Sequence, residues 1–148
     1  MQNKNQIDIH VADLTNEMQI ALAGAGIHAG FPSPAQDYIE NGIDLNRELV
    51  KHPSSTFYGR VVGDSMIDAG IDSGDILVID KSIEPHDGDM AVCFVDGEFA
   101  LKFIRYKDNR LFLCAANNNY SDIEVHPEEQ FMVWGVVTYT IKKRCKHQ

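Results

Sequence analysis

The chain has 148 residues, with 13 lysines and arginines against 22 aspartates and glutamates, a formal charge of −9, and 44% apolar residues. That is enough chain to bury a core and too apolar for a wholly disordered segment, while the acidic balance argues against a protein whose main task is gripping phosphate backbones. Cys93, Cys114 and Cys145 are odd in number, widely spaced and form no CxxC, which argues against a disulfide scaffold or a zinc site and fits a reducing cytoplasm.

Residues 1–30 differ in texture from the rest. Lys4 is their one Lys or Arg, they hold no aromatic residue, and they end in Ala23-Gly24-Ala25-Gly26-Ile27-His28-Ala29-Gly30. The spacing predicts a short amphipathic helix over Val11 to Leu22, followed by a flexible or extended Gly/Ala connector. The start of the chain is net negative, unlike a secretory signal, and no stretch reaches the ~18 apolar residues of a membrane span. Ser33-Pro34 predicts an N-cap and first turn for a helix over Ala35 to Glu40, and Asp44 predicts a cap for a second helical turn through Glu48.

From Thr56 onward the pattern is β. Strands are predicted at Phe57–Val62, Ile76–Asp80, Met90–Val95, Glu98–Arg105, Leu111–Ala115 and Phe131–Ile141, each rich in Val, Ile or Phe and bounded by Gly, Asp or Asn. Asp96-Gly97 and Asp108-Asn109 read as hairpin turns. The fold class is therefore mainly β, with short and largely antiparallel strands and a small helical entry. Lys142, Lys143, Arg144 and Lys146 form a basic tail, read as a solvated end of the chain.

Two features carry possible chemistry. Gly63-Asp64-Ser65-Met66 puts a serine in a turn after a strand, where a nucleophile is well exposed; taken alone it is equally a turn serine. Lys102 lies inside Phe99-Ala100-Leu101-Lys102-Phe103-Ile104, so it shares a strand face with Ala100 and Ile104, opposite Phe99, Leu101 and Phe103. A lysine so placed either snorkels at a sheet edge or is desolvated. A free lysine titrates near ~10.4, so only about 1 in 2,500 is neutral at pH 7, a handicap of roughly 4.6 kcal/mol for a general base. Burial removes much of that handicap, and a neutral lysine beside a serine hydroxyl makes a Ser-Lys dyad. The six histidines are scattered, with no HxH or HxxxH, so metal ligation is unsupported and no cofactor is called for; His86 and His126 read as solvated.

With these residues in view, the chain resembles the UmuD family, relatives of the self-cleaving C-terminal domain of LexA repressors. Gly30-Phe31-Pro32-Ser33-Pro34-Ala35 is similar to the segment after the UmuD cleavage site. Gly63-Asp64-Ser65-Met66-Ile67-Asp68 with Gly70-Ile71 and Gly74-Asp75 resembles the nucleophile box. Gly88-Asp89 and Asp96-Gly97-Glu98-Phe99 leading to Lys102 resemble the general-base strand, and Trp134-Gly135-Val136-Val137 the closing strand. The similarity covers about Gly30 to Ile141.

The resemblance implies a LexA/UmuD-like peptidase fold acting as a homodimer, with Ser65 as nucleophile and Lys102 as general base. It implies that residues 1–29 are an arm removed by self-cleavage at Ala29–Gly30, leaving residues 30–148 as the peptidase domain. The backbone N–H groups of Asp64 and Ser65 would hold the oxyanion. It further implies a RecA–single-stranded-DNA filament as activator after DNA damage, and a UmuC-type, Y-family translesion polymerase as the partner of the processed form. Where UmuD has a cysteine before the scissile glycine, this chain has Ala29, as LexA does. Three alternatives compete. A LexA- or phage-type repressor needs a DNA-reading domain that 29 residues with Lys4 as their sole Lys or Arg do not supply, so no direct sequence-specific DNA binding is expected. A signal-peptidase-like enzyme needs a membrane anchor. A catalytically silent polymerase-binding module would not need both Ser65 and Lys102.

Overall fold

The computed structural model describes residues 6–11, 19–23, 39–64, 66–95, 97–126, 128, 131–145 and 147. They form two units, residues 1–12 with 52–148, and residues 13–51. In the smaller unit, β2 (Gln19–Ala23) pairs antiparallel with β3 (Ile39–Asp44), and α1 (Leu45–Leu49) follows. Asp44 caps α1 as its sequence predicts: its Oδ1 accepts the Asn46 N–H at 3.1 Å. Two expectations fail here. Val11 is in a strand, and Gln19 to Leu22, predicted helical, are strand. Ile39 and Glu40, predicted to end a helix, are strand as well. The ladder between β2 and β3 satisfies their backbone groups across the chain, and the helical propensity of such short segments does not outweigh that. The rest of both predicted helices, and the connector 24–30, lie outside the described residues.

The larger unit is one eight-stranded antiparallel sheet. Its strands are β1 (Gln6–Val11), β4 (Thr56–Val62), β5 (Ile76–Asp80), β6 (Met90–Val95), β7 (Glu98–Lys107), β8 (Arg110–Cys114), β9 (Ile123–Val125) and β10 (Phe131–Ile141). The spatial order is β1-β4-β5-β10-β6-β7-β8-β9. The mainly β expectation holds, and β5, β6 and β10 keep their predicted bounds. The β6–β7 hairpin pairs Val95 with Glu98, and the β7–β8 hairpin turns through Asp108 and Asn109, both at positive φ (52° and 62°).

Alternation splits the side chains of the sheet between two cores. Val61, Met66, Ile71, Leu77, Ile79, Val92 and Leu101 form one, with Phe99, Phe103 and Trp134 packed against it. Ala91, Cys93, Ile104 and Leu113 form the other. At the bulge in β10, an added Cβ on Gly135 would stand 2.6 Å from Ile79 Cγ2, so only glycine fits there. The basic tail is not simply solvated: Lys142 Nζ bonds Asp72 Oδ2 at 2.6 Å and Asp75 Oδ2 at 2.5 Å, tying the end of β10 to the turn before β5. No described helix is long and apolar enough to cross a membrane.

Candidate functional site

Lys102 sits in the middle of β7, paired in register with Ala91 of β6. Its strand neighbours divide as their alternation requires: Phe99, Leu101 and Phe103 join the first core, and Ile104 the second. Lys102 therefore rises from the face occupied by Ala91, Cys93 and Ile104. It is half-buried. Loss of water lowers its pKa below the ordinary lysine value, opposed by Cys93, Cys114 and Asp122. Burial pushes the Cys93 thiol up to about 12, and burial with the neighbouring Asp122 raises that of Cys114. Both thiols are thus neutral at pH 7, which leaves Asp122 as the anion that favours a protonated Lys102.

Cys93 and Cys114 both lie in apolar runs that predict burial; Cys93 is buried, but Cys114 is only half-buried. Cys114 and Asp122, with Arg105 and Phe112, line a cleft of about 570 Å³. All three thiols are free.

Above Lys102 lies a ring. Its Nζ stands 5.6 Å from the centroid of Tyr120. The Tyr120 hydroxyl in turn donates to Asp64 Oδ1 at 2.9 Å. Asn117 binds the same residue through its backbone: Nδ2 donates to the Asp64 carbonyl at 2.7 Å. The far side of position 65 is held equally. Met66 is 2% exposed and packed in the first core, its sulfur accepts the Ala116 N–H at 3.4 Å, and the Asp68 N–H donates to the Ala116 carbonyl at 2.7 Å. The loop 116–120 thus clamps both chain neighbours of residue 65. Gly63, at φ 111°, begins that turn in a conformation other residues rarely adopt.

Ser65, Ala29 and Gly30 lie outside the described residues. Of the predicted site, the structure describes Lys102 and Asp64, and joins them through Tyr120. Tyr120 and Asn117 were not singled out from sequence. The polar run Asn117-Asn118-Asn119-Tyr120 reads as an ordinary loop, and nothing local marks which amide faces inward.

Two other groups deserve comparison with the dyad. His86 and His126 are exposed, as expected. His52 Nδ1 meets Asp80 Oδ2 at 2.5 Å, and Ser82 Oγ donates to Asp80 Oδ1 at 2.6 Å. There the carboxylate sits between the serine and the ring, so the order His–Asp–Ser does not set a base on the hydroxyl as a triad requires.

Comparison with known proteins agrees with this architecture. Residues 21–138 match the peptidase S24-like family. Protein SamA of Salmonella typhimurium is 44% identical over 115 residues, 78% of this chain and 79% of that protein. Protein MucA of Escherichia coli is 38% identical over 116 residues, 78% of this chain and 79% of that one. A LexA repressor of Shewanella piezotolerans is 38% identical over 109 residues, 74% of this chain but 52% of the repressor. With its motifs, its β-rich fold and this match over most of its length, the chain belongs to the peptidase S24-like family, on the UmuD-like side that its sequence resembles.

Proposed function

We propose that the chain is a self-cleaving serine peptidase of the DNA-damage response that cuts its own Ala29–Gly30 bond with a Ser65–Lys102 dyad. The observation that carries this reading is the Tyr120 bridge: a half-buried, pKa-lowered lysine lies under a ring whose hydroxyl holds Asp64, the residue before Ser65.

The chemistry follows from those groups. Neutral Lys102 takes the proton of the Ser65 hydroxyl as its Oγ attacks the Ala29 carbonyl carbon. The backbone N–H groups of Asp64 and Ser65 hold the oxyanion. The tetrahedral species collapses, the C–N bond breaks, and the Lys102 ammonium gives its proton to the Gly30 amine. Water, deprotonated by Lys102, then hydrolyses the ester on Ser65. Ala29 and Gly30 suit such a cut because neither places bulk at the bond. The chain itself tethers this substrate, which supplies a high effective concentration.

In this reading residues 1–29 are the arm and 30–148 the processed protein. It works as a cytoplasmic homodimer. A RecA–single-stranded-DNA filament stimulates the cut, and the processed form serves a UmuC-type translesion polymerase.

The test is incubation of the purified chain at pH 7 and at about pH 10, with and without RecA, an ATP analogue and single-stranded DNA, read by intact mass. Cutting should speed up with pH, because the neutral fraction of Lys102 rises roughly tenfold per unit until its pKa is reached. A fragment beginning at Gly30, absent in Ser65→Ala and Lys102→Ala, is expected. A folded chain that stays intact under every condition overturns the proposal.

A further inference from the structure

The strand at the edge of the large sheet belongs to the segment that the proposed cut removes. β1 pairs with β4 along its whole length, from Gln6 opposite Val62 to Val11 opposite Phe57. Its Ile7 and Ile9 pack against the first core, opposite Val61, 7% exposed, and the buried Gly59. Gly59 has no side chain of its own to cover that position, so Ile9 supplies the cover.

The backbone of β4 shows which groups β1 satisfies. The Val61 N–H donates to the Asp75 carbonyl at 2.9 Å and the Val61 carbonyl accepts from the Gly74 N–H at 2.8 Å, so Val61 faces the β5 side. Strand alternation then turns the N–H and C=O of Tyr58, Arg60 and Val62 toward β1, opposite His10, Asp8 and Gln6. Without β1, this row of backbone groups and the apolar stripe beside it stand open, which is the form of a strand-accepting edge.

While the chain is whole, its own strand competes for that edge at an effective concentration of about millimolar. At micromolar protein, cutting the tether lowers that advantage by up to roughly a thousandfold. We propose that the β4 edge is a docking site for an extended segment of a partner protein, one with branched apolar side chains at alternate positions, and that residues 6–11 occupy it until the arm is cut. The edge itself stands on the pairing of β1 with β4; its opening by the cut rests on the function proposed above.

The first arm of the test uses the full chain carrying Ser65→Ala, so that no cutting enters. Hydrogen exchange is read at the amides of Tyr58, Arg60 and Val62, with those of Val92 and Leu101 as the reference for an intact sheet. Adding Ile7→Asp with Ile9→Asp should speed the first three at least tenfold and leave the reference unchanged. Asp8→Pro, which removes a ladder donor without setting a charge against the core, should do the same. A fluorescent peptide of residues 3–13 should bind both variants at least tenfold more tightly than the Ser65→Ala parent. Unchanged exchange in both variants, or equal peptide binding, overturns the docking site. Protection of those amides that grows with protein concentration assigns the edge to the strand of a second copy and overturns the partner assignment.

The second arm uses the wild-type chain after cutting, which should bind the peptide as the variants do. A cut chain that binds no better than the uncut one overturns opening by the cut. A chain that is never cut overturns the function proposed above, and the first arm still decides the edge.

Discussion

Asn117→Ala isolates what holds the segment around position 65. Asn117 is 9% exposed and uses both ends of its amide, donating to the Asp64 carbonyl at 2.7 Å and accepting the Asn119 N–H at 3.0 Å. A net ~0.5–1.5 kcal/mol for each bond puts the loss at about 2 kcal/mol. A domain of this kind holds roughly 5–15 kcal/mol, so at least ~3 kcal/mol remains and fewer than about 1% of chains are unfolded. Asp64 keeps the Ile67 N–H on its carbonyl at 3.2 Å, so the turn survives and loses only its anchor to the loop 116–120. Any large fall in cutting rate therefore reports misplacement rather than unfolding. We expect cutting at about pH 10 to slow ten- to a hundredfold, the equivalent of about 1.4–2.7 kcal/mol of barrier. Asn117→Asp should be slowed at least as much, because it sets a carboxylate against the Asp64 carbonyl. The assay is the first-order appearance of the Gly30 fragment, beside urea unfolding of the same variants carrying Ser65→Ala. A rate within twofold of the parent, with the unfolding free energy down by the expected amount, refutes the positioning role of this amide.

Two further substitutions test the frame rather than the chemistry. Gly135→Ala drives a methyl to 2.6 Å from Ile79 Cγ2, in a fully buried part of the core, and should cost about 1–3 kcal/mol in denaturant unfolding; an unchanged midpoint would show that the bulge relaxes freely. Asp80 is nearly buried, and although burial raises its pKa, hydrogen bonds from Ser82 and His52 outweigh this and hold it below the usual carboxylate value. A carboxyl with a lowered folded pKa adds stability above its unfolded pKa of ~3.9 and loses it as pH falls through the folded value. Unfolding free energy should thus decline below about pH 4, and Asp80→Asn should be less stable at pH 7 and show a shallower acid decline; parallel pH profiles for the two proteins would count against it.

The sheet was legible where its signals were local. Ile76–Asp80, Met90–Val95 and Phe131–Ile141 are continuous runs of branched and aromatic residues between turn residues, and they keep their predicted bounds. β9 has three residues and is too short to show a period. β1 carries one, with Ile7, Ile9 and Val11 alternating against Gln6, Asp8 and His10. That alternation spans six residues, ahead of a Gly/Ala stretch that marks the region as an arm, and only pairing with β4, some fifty residues away, makes it a strand. The half-buried place of Lys102 on β7 was legible because apolar neighbours on both faces of a strand are rare around a lysine. Asn117 and Tyr120 were not, because their role depends on where a loop folds back, and no residue spacing encodes that.

The setting of Lys102 also bears on restraint. On the function proposed above, the chain must not cut itself on synthesis, so its base has to be reachable but scarce. A fully buried lysine can lose up to ~3–5 pKa units and be largely neutral near pH 7, whereas a free one leaves about 1 in 2,500 neutral. Lys102 lies between these limits. It is half-buried, its pKa is lowered, and Asp122 pulls in the opposite direction. The exposed Asp122 lines the open cleft, where an activator or a docked segment can change its solvation. Weakening that one anion's hold moves the lysine toward its neutral form without repacking any core residue. On the proposed mechanism, Asp122→Asn should therefore raise spontaneous cutting at pH 7, and the gain should shrink as pH rises and more of Lys102 is neutral without it. A uniform change at every pH would place Asp122 in substrate binding instead.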